Sequence, residues 1–306
     1  MSFGILKYVA MIAFVAGSAG HAVSAPQDYK NAGLLMTADA LSEAINVESA
    51  FVMMGARSQL RIIDVRAPEA FADGHIPEAV NIPYRDLTDP QAHVDGALKA
   101  DAELATILSE AGIDAHTQVV LYDDEGGFRA SRLFWLLEYF GHAKARILNG
   151  GLQAWQAGGY GLSTGSDSGP EQAAAVHFSL NRMPRRVASA DWILQRRTDP
   201  QVKVIDVRPV NLYRNGHIPW AVNIPWKGNL NADLTMKSAE ELHALFAGHG
   251  VSREHNIVIH CQNGEASAHT YFALRLLGYP RVRTYHRSWS EWGSSSDLPK
   301  ASGAAG

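Results

Sequence analysis

One stretch of text is written twice in this chain. The first copy reads Arg61-Ile62-Ile63-Asp64-Val65-Arg66 and then Gly74-His75-Ile76-Pro77, with Ala79-Val80-Asn81-Ile82-Pro83 behind it. The second reads Lys203-Val204-Ile205-Asp206-Val207-Arg208, then Gly216-His217-Ile218-Pro219 and Ala221-Val222-Asn223-Ile224-Pro225. Asp64 and Asp206 stand 142 positions apart, as do His75 and His217. A constant offset over this span marks an internal duplication, so the chain must build one fold twice. Later pieces agree. Residues 118–123 match 256–261, the helical stretch 131–140 matches the one after Cys261, and the 146–151 segment with Trp155 matches the 282–288 segment with Trp292. Short apolar runs alternate with helical patterns in each copy, such as 38–45 behind the N-cap candidate Thr37. The predicted class is therefore α/β: two domains, each a mainly parallel sheet flanked by helices. The length of 306 residues is ample for two full cores. The Gly/Ser/Pro-rich run 163–170 opens a linker placed at 163–176, between a first domain at 26–162 and a second at 177–306.

The copies part at one position. Where the first has Asp123, the second has Cys261, the only cysteine in the chain. Ile257-Val258-Ile259-His260 reads as a buried strand, and residues 268–277, closed by Gly278, as a helix. Between them lies the polar loop Cys261-Gln262-Asn263-Gly264-Glu265-Ala266-Ser267. A sulfur between a strand end and a helix N-terminus meets inward N–H groups and the positive end of the helix dipole, which favour a thiolate. Such a loop can also form an amide nest for an anion. Cys261 is thus the candidate nucleophile, and 262–267 the candidate binding loop. The weighed alternative is an inert buried cysteine. The first domain, with Asp123, is expected to be inactive and to lend side chains to a cleft.

The repeated histidines occur in both halves, so they read as turn residues satisfying backbone groups rather than as site residues. Asp64 with Arg66, and Asp206 with Arg208, read as loop-fixing ion pairs. No Cys/His cluster has metal-ligand spacing, and no metal or cofactor is expected. A net charge of −4 without long runs leaves no footprint for nucleic acid or an acidic membrane. Residues 1–25 read as a secretory signal peptide: Lys7, the apolar run 8–16, then Val23-Ser24-Ala25 as a cleavage site. The mature protein is then expected outside the cytoplasm, in the periplasm of a Gram-negative source, with no membrane contact after cleavage. One cysteine in an exported chain makes no internal disulfide.

Asp206-Val207-Arg208, Gly216-His217-Ile218-Pro219, Lys237-Ser238-Ala239-Glu240-Glu241-Leu242, the Cys261 loop and the closing Ser288-Trp289-Ser290-Glu291-Trp292-Gly293 together resemble the tandem-domain rhodanese family of thiosulfate and 3-mercaptopyruvate sulfurtransferases. The resemblance implies two rhodanese-like domains, the second catalytic. It also implies ping-pong transfer of a sulfane sulfur from a small anionic donor, through a Cys261 persulfide, to cyanide, a thiol or a protein acceptor.

The loop departs from that pattern. Thiosulfate-using members of the family usually carry cations here, whereas Gln262 and Asn263 are neutral and Glu265 is acidic. The cations expected to answer Glu265 are Arg287, which with His286 replaces the family's usual Asp-Gly, and Arg129, Arg132 or Arg85 across the cleft. The segment 209–215 is short for a mercaptopyruvate user and offers only Arg214. Two rivals remain. A Cys-loop phosphatase needs an arginine six residues after the cysteine, and Ser267 stands there. A non-catalytic sulfane-sulfur carrier of the export compartment has the same loop without the turnover.

Overall fold

The computed structural model describes residues 28–54, 58–165 and 176–303, so the signal-peptide expectation and most of the linker lie outside the described residues. The first domain runs β1 (Leu35–Met36), α1 (Ala38–Met53), β2 (Leu60–Asp64), α2 (Pro68–Asp73), β3 (Ala79–Asn81), α3 (Asp101–Glu110), β4 (Gln118–Tyr122), α4 (Ala130–Tyr139), β5 (Ala145–Leu148) and α5 (Gly151–Ala157). The second repeats it: α6 (Ala190–Gln195), β6 (Val202–Asp206), α7 (Val210–Asn215), β7 (Ala221–Asn223), α8 (Ala239–Gly248), β8 (Asn256–His260), α9 (Glu265–Leu276), β9 (Val282–Thr284) and α10 (Ser288–Trp292). Among the described residues, no helix is long and apolar enough to cross a membrane.

Both sheets are parallel throughout, in the orders β1-β5-β4-β2-β3 and β7-β6-β8-β9. Central strands of a parallel sheet are covered on both faces, which is why they read as unbroken apolar runs. Alternation still decides which face each residue serves. Ile62 and Val120 join one core on the outer face of the first sheet, and Val204 and Val258 its counterpart in the second. Ile63, Val119, Leu121, Ile205, Ile257 and Ile259 all join a third core, shared by the two domains.

That shared core is a seam in which α4 packs on α9. Phe134 and Phe272 meet edge to face, with ring centroids 4.9 Å apart. The seam explains why α4 and α9 are buried nearly all round, polar residues such as Arg132, Ser267 and His269 included. Two helices differ from the sequence expectation. Helix α1 keeps the Thr37 cap but continues past Ile45 to Met53, and α9 begins at Glu265 rather than at 268.

The repeated turns are built as expected. The His75 ring lies flat on Phe71 at 3.8 Å, with Nδ1 2.9 Å from the Phe71 carbonyl oxygen. His217 does the same on Tyr213 at the same two distances. In the second sheet the chain leaves β6 for β7 on one side and returns to β8 on the other. Such a switch point opens a crevice at the carboxyl ends of the strands. Asp206 ends β6 there and His260 ends β8, one residue before Cys261.

Candidate active site

Cys261 leaves β8 into a loop whose shape is fixed from three sides. Its own backbone is gripped by the start of α10. The Cys261 N–H donates to Ser288 Oγ at 3.0 Å, the Trp289 N–H to the Cys261 carbonyl at 3.0 Å, and the Ser290 N–H to the Gln262 carbonyl at 2.9 Å. Ser288 holds a left-handed backbone, φ 53°, and its hydroxyl donates onward to the Tyr285 carbonyl. Gly264 caps α9 at φ 96° and turns its N–H onto Cys261 Sγ at 3.0 Å. The Ser288 hydroxyl oxygen lies 3.8 Å from the same sulfur. Cys261 is only 2% exposed.

The floor is the ion pair read from the sequence. Arg208 clasps Asp206 through Nε and Nη2, the latter at 2.6 Å, and its Nη2 also reaches the Gly216 carbonyl. His260 lies beneath, with Nε2 3.6 Å from Asp206 and Nδ1 facing the Cys261 carbonyl, not the sulfur. Burial pushes its imidazole below the usual histidine range despite Asp206, so it is neutral at pH 7. The sulfur is therefore served by a backbone N–H and a helix terminus rather than by a histidine base.

The first domain forms the third side. Arg132, 1% exposed, sends Nη1 to the Gly264 carbonyl at 2.9 Å and Nη2 to the Gly96 carbonyl at 2.7 Å. Asn263 Nδ2 bridges Asp95 Oδ2 at 3.2 Å and Glu265 Oε1 at 3.3 Å. Burial raises the Glu265 carboxyl, with Arg132 and Arg129 opposing and Asp95 adding to the rise. The cations that answer Glu265 thus come from across the seam.

The side chains of three residues of the expected binding set turn elsewhere. Ala266 packs into the shared core, because α9 has already begun. The Ser267 hydroxyl donates to the Gly264 carbonyl at 3.1 Å, which an early-turn hydroxyl does readily. Arg287 sits before α10 and pairs with Glu291 at 3.1 Å, one helical turn on, instead of with Glu265. Sequence reading missed Ser288, Asp95 and Gly96. Ser288 had a visible signal, since its partner in the repeat is a glycine, Gly151, with φ 57°.

The first domain shows what the same loop does without sulfur. Asp123 Oδ1 accepts N–H groups from Glu125 at 2.9 Å and Gly127 at 2.8 Å, and Oδ2 those of Arg129 at 2.7 Å and Ala130 at 2.9 Å. Burial raises this carboxyl, and the four donors pull against the rise. The nest is filled by the chain's own side chain.

Comparison with known proteins follows the same outline. The model of the rhodanese-like domain matches residues 47–158 and 189–295. A sulfur carrier protein, TtuD of Thermus thermophilus, is 36% identical over 267 residues, covering 80% of this chain and 92% of that protein. A 3-mercaptopyruvate sulfurtransferase of Escherichia coli is 31% identical, covering 79% and 92%. A thiosulfate sulfurtransferase of Pseudomonas aeruginosa is 30% identical, covering 79% and 90%. Among solved structures, the E. coli 3-mercaptopyruvate sulfotransferase SseA superposes with a TM-score of 0.72 at 29% identity, covering 84% of this chain and 99% of that one.

Proposed function

This chain belongs to the rhodanese family, with the domain present twice, and from that premise we propose that it is a sulfurtransferase working through a persulfide on Cys261. The observation that carries the reading is the Gly264 N–H aimed at Sγ from the N-terminus of α9. The thiolate attacks the outer sulfur of a donor such as thiosulfate. The donor's S–S bond breaks and sulfite leaves with the electron pair. Cys261 then carries one extra sulfur as an anionic persulfide, which the amide and the helix terminus stabilise. A thiol or cyanide attacks that outer sulfur and returns Cys261 as thiolate, so one transfer is split into two. Thiosulfate and 3-mercaptopyruvate are the proposed donors, and a protein thiol is a further proposed acceptor.

A carrier role is the second reading, favoured by the acidic Glu265 and by the 36% identity to a protein named a sulfur carrier. Residues 1–25, with a basic start, an apolar run and a small-residue end, support a further proposal that the protein works after export, in the periplasm if the source is Gram-negative. The N-terminal residue of protein recovered from cell fractions tests this.

The functional test is thiocyanate formation from thiosulfate and cyanide, beside Cys261→Ser, with intact-mass analysis after donor exposure. Multiple turnover that vanishes in the serine variant supports the enzyme. Gain of one sulfur without turnover supports the carrier. No gain of sulfur from either donor overturns both.

A further inference from the structure

The Cys261 loop contains no lysine or arginine between 261 and 267. Two arginines of the second domain, Arg208 two residues past the end of β6 and Arg287 next to Ser288, are committed elsewhere: Arg208 to Asp206 and the Gly216 carbonyl, Arg287 to Glu291. An anionic nucleophile that becomes an anionic persulfide still needs positive charge nearby. Arg132 crosses the seam from α4 to meet that need. Its Nη1 bonds the carbonyl of Gly264, the residue whose N–H reaches Sγ. The charged groups acting on it are Cys261, Glu265 and Asp95. Its guanidinium lies 5.2 Å from the centre of the Trp135 ring, and its Nε, though buried, meets no hydrogen-bond partner among the described residues. Burial lowers its pKa to about 10, so it stays charged at neutral pH. The approach depends on Gly264 being glycine, since a Cβ there would lie 2.0 Å from Nη1.

We propose that Arg132 of the non-catalytic domain is the positioning cation of Cys261. It holds the Gly264 turn so that the N–H faces the sulfur, and it supplies the charge opposite the thiolate and the persulfide. Asp95 and Glu265 draw on the same charge. This deepens the function proposed above and rests on Cys261 being the nucleophile.

The test is the pH dependence of Cys261 alkylation by iodoacetamide in the full chain. It needs no sulfur donor, so it reads out even where transfer fails. Arg132→Met should move the profile toward alkali and slow alkylation at pH 7 about tenfold, the equivalent of one pH unit. Arg132→Lys, which keeps the charge, should retain most of the rate. Glu265→Gln and Asp95→Asn, which remove competing anions, should move the profile toward acid. An unmoved profile in Arg132→Met overturns the proposal, as does a lysine variant as slow as the methionine one. Should Arg132→Met not fold, the two carboxylate variants decide, and no shift in either overturns the proposal.

Discussion

Glu138 of α4 and Arg275 of α9 meet across the seam in a two-point clasp, Nη2 to Oε1 at 2.9 Å and Nε to Oε2 at 3.0 Å. The Tyr271 hydroxyl donates to the same carboxylate, and Arg186 approaches at 3.7 Å. The clasp joins the C-terminal ends of the two helices whose N-terminal ends bring Arg132 to Gly264, so it ties the domains together along the same seam.

Replacing Glu138 by alanine leaves two largely buried guanidinium groups without their anion. The expected loss is roughly 3 kcal/mol of stability in urea unfolding, in the range for breaking rather than replacing a buried pair. A loss below about 0.5 kcal/mol, the size of an exposed pair, would mean that the clasp is solvated.

The same carboxylate predicts a pH dependence. Burial raises its pKa, but the Arg275 bonds and charge, with Arg186 behind them, outweigh burial and hold it below the usual carboxylate range. A depressed folded-state value means the stabilisation is complete above about pH 4.3, the unfolded value, and is lost as pH falls through the folded one. Stability measured from pH 6 to 3 should therefore decline less steeply in Glu138→Gln than in the parent. Parallel declines would contradict the pairing.

Asp123→Asn keeps the shape of the filled nest but turns an NH2 group toward two N–H donors. At least one buried donor pair loses its acceptor, at a cost of about 2 kcal/mol. Cys261 alkylation should persist, because the lost bonds lie in the other domain. Unchanged thermal stability would show that the nest does not need its anion.

Gly264→Ala should be far worse than Gly159→Ala, although both have positive φ. At 264 the new methyl meets Arg132 Nη1 at 2.0 Å and the His286 carbonyl at 2.4 Å, whereas at 159 nothing lies within 4 Å. A loop displaced by an ångström should lower sulfur transfer about 100-fold. The Gly159 variant should lose only about 1 kcal/mol of stability to backbone strain. Equal activity in the two variants would sink the steric argument.

Glu265→Gln should raise thiosulfate kcat/KM about fivefold, because removing a negative charge near the donor anion is worth about 1 kcal/mol even at the dielectric of bulk water. The raised Glu265 pKa agrees in sign: below its titration the parent should approach the variant. An unchanged or lower kcat/KM removes the electrostatic account of this loop.

Much of this was legible because duplication is a strong constraint. A fixed offset pins strand to strand, and the Asp123–Cys261 exchange stands out against it. Local features read well for the same reason that they are local: Thr37 caps α1, and each turn histidine bonds a carbonyl four residues back. Long-range contacts did not read. Asn263 meets Asp95 across 168 residues and Arg132 meets Gly264 across 132, and nothing in either segment announces the other. Arg132 stood among three arginines equally eligible by charge, and only the packing of α4 on α9 selects it. Arg287 was drawn away by Glu291, one turn into the helix it caps, a pairing that loop-based reasoning overlooks.

The close approach at Gly151 limits what the first domain can become. A side chain there would press its Cβ to 2.3 Å from the Asp123 carbonyl, yet the matching position in the second domain is Ser288, whose hydroxyl holds the Cys261 backbone. A cysteine written at 123 would thus not by itself make a second catalyst, since a serine at 151 has no room to support it. The two positions are locked together, and a single substitution at either does not carry one domain's loop into the other's form.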